Sequence, residues 1–335
     1  MAGKRIQDIP FSVLDLAPIT EGNTVATTFK NSMALARRAE QLGYNRYWLA
    51  EHHNMDSVAS SATAVLIGYI AGGTSTIRVG SGGIMLPNHA PLMVAEQFGT
   101  LASLYPGRID LGLGRAPGTD QQTAAALRRG RMETAEDFPD DIKAMQRYFS
   151  ADNKTAKVRA IPGEGVEVPM WILGSSTDSA RLAALMGLPY AFASHFAPAQ
   201  FLTAINIYRD TFRPSQYLAE PRVMACVNVI AADTNEEAQY LSTSLLQLIA
   251  GIVTGKRKPL PPPVDSVADL WGGEVQALIH QMMYYSFIGD AKKVTEGLAR
   301  FQAEAALDEI MVTSHIYDPA ARVHSYEVLK GALRA

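Results

Sequence analysis

"VPMWILGSSTDSARLAALMGLP", residues 168–189, contains one complete unit of this protein's architecture. Seven largely apolar residues, 168–174, have the length of a buried strand and stop at Gly174. A helical apolar spacing starts from about Ser176, and a second strand, PYAFASH (189–195), follows that helix. Strand, crossover helix and next strand in this order build a parallel sheet.

Working outward, the unit recurs along the chain. FSVLD (11–15) precedes a helix over 24–43 that Gly43 stops, and RYWLAE (46–51) precedes one over 61–74. TIRVGSGG (76–83) leads to a helix from Pro91 to about Leu104. RIDLGLG (108–114) runs into a long loop before a helix that starts near Glu133. PYAFASH leads to a helix from about Pro198, RVMACVNVIAA (222–232) to one from Thr234, and DEIMVTS (308–314) to a final helix from Pro319. In KRKPLPPPV (256–264) the prolines forbid helix and sheet alike, which marks an insertion over 251–288. The pattern resumes with a helix over 290–304. Eight strand-then-helix units predict an α/β fold of the closed (β/α)8 TIM-barrel kind. It is expected to be one domain over 1–335, with insertions between the fourth strand and its helix and after the seventh helix. In such a barrel the functional groups sit at the carboxyl ends of the strands.

Composition narrows the partners. The 335 residues carry 30 Lys and Arg against 33 Asp and Glu, so no basic field exists to draw nucleic acid. No stretch approaches the ~20 apolar residues that span a bilayer. Asp15 and Pro18 interrupt the apolar run at the amino end, and Cys226 is the single cysteine. A reducing cytoplasm is the expected compartment.

Polar residues and glycines punctuate the expected strand ends. Glu51, His52 and His53 close the second strand; as adjacent residues the two histidines have poor geometry for zinc, and no metal is expected. A single polar strand end has a bland reading as solvated surface, but the repetition at other strands weakens it. Gly82 and Gly83 close the third strand, where glycine marks either a bulge or the close approach of a ligand. In GLGRAPG (112–118) the spacing does not fit a dinucleotide fingerprint, and Pro117 interrupts it. That stretch offers one cation, Arg115, which either pairs with a local carboxylate or awaits an anion. Gly174, Ser175, Ser176 and Ser179 open a helix whose amides favour an anion, although one serine there would serve as an ordinary cap. Taken with Arg115 one strand earlier, they suit a phosphate.

WLAEHHN, VGSGGIMLPNHAPLMVAEQFGTL, YPGRIDLGLGRAPG and VPMWILGSSTDSARLAALMGLP together resemble the bacterial luciferase-like flavin monooxygenase family, in order and over most of the chain. The resemblance implies FMN, or reduced FMN from a separate flavin reductase, at the carboxyl face of the barrel. It also implies a homodimer formed through helices of the first units. On this likeness His52 takes the catalytic position. Arg115, Gly174, Ser175, Ser176 and Ser179 fall on the phosphate site, and Gly82-Gly83 matches a non-proline cis peptide under the flavin ring. Gly114 and Gly174 stand where luciferases proper carry a cysteine and some carry a glutamate, so light emission does not carry over.

The expectation is therefore a monooxygenase acting with dioxygen on a small organic substrate. His52 would act as an acid/base with a pKa near neutrality, with Glu51 and His53 orienting it or lining the pocket. His53, Asn88, His89 and His195 would face that substrate. Two alternatives remain open: an oxidoreductase that transfers hydride with the deazaflavin F420, and a flavin-binding protein without catalysis.

Overall fold

The computed structural model describes residues 4–128, 137–268 and 270–334. In chain order the described elements are β1 Phe11–Asp15, α1 Val25–Leu42, β2 Arg46–Leu49, α2 Thr63–Gly72, β3 Arg78–Met85, α3 Pro91–Leu104, β4 Ile109–Gly114, α4 Gln121–Arg128, α5 Phe138–Phe149, β5 Met170–Gly174, α6 Thr177–Met186 and β6 Tyr190–Phe192. They continue with α7 Phe201–Thr211, β7 Val223–Ala231, α8 Asn235–Val253, α9 Gly273–Met282, β8 Ser286–Gly289, α10 Ala291–Ala305, β9 Glu309–Thr313 and α11 Pro319–Ala332.

Every named strand pairing is parallel, and the sheet order β6-β5-β4-β3-β2-β1-β9-β7 closes through pairing of β6 with β7. The eight expected strands are these eight, and they form the TIM-type barrel. β8 is extra: it pairs Ser286–Gly289 with Asn228–Ala231 of β7, beyond the point where β6 ends. β8 and α9 fall in or at the edge of the 251–288 stretch, where prolines conceal the elements that follow them.

The barrel is filled, not hollow. Leu14, Trp48, Trp171, Met224, Cys226 and Met311 pack inside it, with the Trp48 and Trp171 rings edge to face at 5.6 Å between centroids. A larger layer of Ile, Val, Leu and Phe side chains lies between the strands and the surrounding helices. At the amino ends of the strands Arg46 pairs with Asp110 at 2.6 Å and Glu309 at 2.9 Å, all three buried, which ties β2, β4 and β9 together. The charges buried at that face are spent on pairing with one another, and the opposite face is left for chemistry.

Local chemistry explains the helix limits. Thr24, Ser176, Asp290 and Asp318 each accept an amide hydrogen of the first turn, and Gly43 and Gly187 end α1 and α6 in the left-handed region. One expectation needs correction: the stretch after Arg115 is not all loop. Asp120 accepts the Thr123 amide and the Ala-rich run 121–128 forms α4. The helix start expected near Glu133 lies outside the described residues; the next described helix begins at Phe138. Among the described residues, no helix is long and apolar enough to cross a membrane.

Candidate active site

The predicted site residues follow or end barrel strands on the carboxyl face, except Gly82 and Gly83, which were expected to close the third strand but lie within β3, because pairing with β4 resumes at Ile84 and Met85. His52 comes three residues after β2 ends, and its ring makes no hydrogen bond. Its Nδ1 is sealed from solvent without a partner, which leaves Nε2 as the nitrogen open to the barrel mouth. Burial first, then the nearby Arg257 guanidinium, push its pKa down to about 4, against the opposing pull of Glu51. The expected near-neutral titration is therefore corrected: His52 is an uncharged imidazole at neutral pH, because its surroundings cannot solvate a cation.

Glu51 does not orient His52. Its Oε1 accepts from Nε2 of His53 and from Nε2 of His89, each at 2.8 Å, and its Oε2 accepts from the Met85 amide at 3.2 Å. Burial disfavours the charge on Glu51, but these hydrogen bonds overcome it and hold the carboxyl at about 2. An ionised carboxylate only accepts, so both histidines present Nε2–H to it. The three donor atoms lie within 4.8 Å of one another, close enough to compete for a cation. One carboxylate thus fixes two rings from different loops, a pairing that sequence spacing does not reveal.

Asn88 is also committed. Its Nδ2 donates to the Pro117 carbonyl at 2.7 Å and its Oδ1 accepts from Arg128 at 3.2 Å, so it staples the loop after β4 with one of its two Nδ2 hydrogens.

The Gly82–Gly83 peptide is cis, at a shift of register between β3 and β4. A Cβ at Gly83 would stand 2.7 Å from the Gly112 carbonyl oxygen, and one at Gly82 would meet Leu14 and Trp48. Packing against backbone thus requires glycine at Gly83, whereas at Gly82 the Leu14 side chain would have to shift.

Gly114 pairs with Leu173, so the next residue on each strand, Arg115 and Gly174, stand side by side. Among the described residues Arg115 has no hydrogen-bond or ion-pair partner, which removes the local-carboxylate reading. Ser176 caps α6 by accepting the Ser179 amide, and the Ser179 hydroxyl donates to the Ser176 carbonyl at 2.8 Å and lies 2.9 Å from the Tyr190 hydroxyl. Ser179 therefore shapes the loop from beneath, and Ser175 is the serine left open. It lines a cavity of about 410 Å³ with Phe196, Pro198, Gln200 and Met282, between the loops after β5 and β6 and the end of α9.

His195 follows β6, and its Nδ1 is likewise buried and unpartnered. Burial, with His315 and His52 adding to it, pushes its pKa to about 3. His315, two residues past β9, was not among the expected site residues. Burial, then Arg322, lowers its pKa to about 4, and its Nδ1 has no partner either. Asn228 of β7 links the two: its amide donates to the His195 carbonyl, and it sits in register with Thr313. A signal was present in the sequence, since FASH (192–195) and VTSH (312–315) end two strands alike.

The model of the family described as "Luciferase-like monooxygenase" matches residues 9–315. A protein of Escherichia coli (strain K12) named luciferase-like monooxygenase is 51% identical over 320 residues, covering 96% of each chain. The N-acetyl-S-alkylcysteine monooxygenase of Bacillus subtilis (strain 168) is 31% identical, covering 98% of this chain and 99% of its own. The crystal structure of apo-MsnO8 superposes with a TM-score of 0.91 at 35% identity, over 97% of this chain and 98% of that one.

Proposed function

The chain belongs to the luciferase-like monooxygenase family, and from that premise we propose that it is an FMN-dependent monooxygenase acting with dioxygen on a small organic substrate. The observation that carries the cofactor reading is Arg115, a cation without a partner among the described residues, beside the amino end of α6. Guanidinium, helix amides and the open Ser175 form a donor set suited to a phosphate dianion. The residues present therefore fit FMN: Arg115, Gly174, Ser175 and Ser176 would hold its phosphate, and Gly82-Gly83 would offer a surface without side chains to its ring. Bound in reduced form, FMN supplies the electrons that activate dioxygen.

The chain's own contribution is placement and proton handling. His52, uncharged with Nε2 open, accepts a proton without first having to lose one. The Glu51 clamp keeps His53 and His89 from swinging into the mouth. His195 faces the same mouth from the opposite arc and binds substrate. Reduced FMN would come from a separate reductase. A homodimer would cover the exposed apolar side chains of α2 and α3, including Val65, Tyr69 and Met93.

The test is a binding titration with FMN, reduced FMN, riboflavin and F420, on the wild type and Arg115→Ala. Loss of a charge-assisted contact to phosphate should weaken FMN by roughly 10- to 100-fold and leave riboflavin unchanged. Equal losses for FMN and riboflavin would put Arg115 elsewhere. Tight F420 with no FMN would replace oxygenation by hydride transfer. Tight FMN whose reduced form reacts with oxygen identically in wild type and His52→Ala would leave a flavin carrier.

A further inference from the structure

A second cation stands at the mouth, away from the phosphate loop. Arg257 lies in the segment after α8, and that segment is strapped down just beyond it. Leu260, fully buried, donates its amide to the Ile19 carbonyl and accepts from the Glu21 amide, each at 2.8 Å. Further along, the Val264 amide donates to Thr243 and Gln247 donates to the Pro262 carbonyl. The backbone around Arg257 is thereby fixed over the loops that follow β1 and β2.

The guanidinium has little to hold. Its one hydrogen bond runs from Nη1 to the Met55 sulfur at 3.1 Å, a weak acceptor, and among the described residues it has no carboxylate partner. Met55 is three residues past His52, and Arg257 is near enough to His52 to disfavour its protonation. The buried carboxylates near the imidazoles are already engaged. Glu51 serves His53, His89 and Met85, and Asp15 serves Arg322, Ser32 and Tyr47. His52 lies within electrostatic reach of Arg257 and His195 within that of His52, and each has a buried, unpartnered Nδ1. A site with an uncommitted guanidinium at its rim, uncharged imidazoles nearby and its buried carboxylates already paired disfavours a cation and favours an anion.

We propose that Arg257 anchors a carboxylate of the organic substrate and so places the remainder of that molecule between His52 and His195. The planar guanidinium matches the planar carboxylate with two parallel hydrogen bonds. Arg115 lies after β4 and Arg257 over the β1 and β2 loops, so the two cations serve two different anions. This inference rests on the flavin-monooxygenase reading for its substrate, but not for the anion site itself.

The experiment measures dissociation constants for a panel of small carboxylic acids and their primary amides by saturation-transfer NMR, with FMN saturating. In the wild type the acids should bind roughly tenfold tighter than the amides, the strength of one charge-assisted pair. Arg257→Gln should abolish that preference and leave FMN affinity unchanged, and Arg257→Lys should retain part of it. Acids that bind no better than amides to the wild type, or that do not bind, overturn the proposal. It also falls if Arg257→Gln weakens FMN and spares riboflavin, since the guanidinium would then hold the cofactor's phosphate. If FMN fails to bind the wild type, the functional reading fails instead, and the same comparison without flavin still decides for or against the anion site.

Discussion

Glu51→Gln removes a buried charge while keeping the side chain's size. Glu51 is 1% exposed and its carboxyl is held at about 2 against an ordinary 4.5. At about 1.4 kcal/mol per pH unit, that difference favours the folded protein by about 3 kcal/mol when the group is ionised in both states. The folded value is depressed, so this stabilisation is fully present above the unfolded value and disappears as pH falls towards the folded one. Between those limits the unfolded chain takes up a proton that the folded protein refuses. The wild-type advantage over Glu51→Gln should be about 3 kcal/mol near pH 7 and shrink to about 2 kcal/mol near pH 3.5. Urea unfolding followed by circular dichroism on both proteins at a series of pH values measures the gap directly. A gap that stays constant over that range, or a glutamine variant as stable as the wild type at neutral pH, would refute the clamp.

Two further outcomes follow from the histidines. His315 is buried and lowered to about 4, so its unfolded form gains a proton from about pH 6.5 downward while the folded form does not. Stability should therefore fall through that window, and His315→Asn should reduce the slope by about 1.4 kcal/mol per pH unit in the same unfolding assay; an unchanged slope would mean the ring finds a way to be charged when folded. For His52, likewise lowered to about 4, reduced-flavin oxidation should show no titration near 6.5 attributable to it. His52→Ala should change that rate with FMN affinity within about threefold, and an inflection near 6.5 present in wild type and lost in the variant would contradict the burial argument.

What the sequence determined alone was the barrel and the face on which chemistry sits. Strand and helix follow from local periodicity, and right-handed parallel crossovers repeated eight times leave few other ways to close a sheet. For the same local reason His52, Gly82, Gly83, Arg115 and the serines before α6 were readable as strand-end residues. The partners of these residues were not readable, because they depend on which loops meet above the barrel. Only the tertiary structure brought Glu51 to His53 and His89, tied Asn88 to Pro117, turned the Ser179 hydroxyl under its own loop and left Arg115 unpaired among the described residues. It likewise decided protonation, since the pKa of His52 depends on burial and on Arg257, a residue some two hundred positions away. Desolvation and charge act through space, and a linear sequence records only neighbours along the chain.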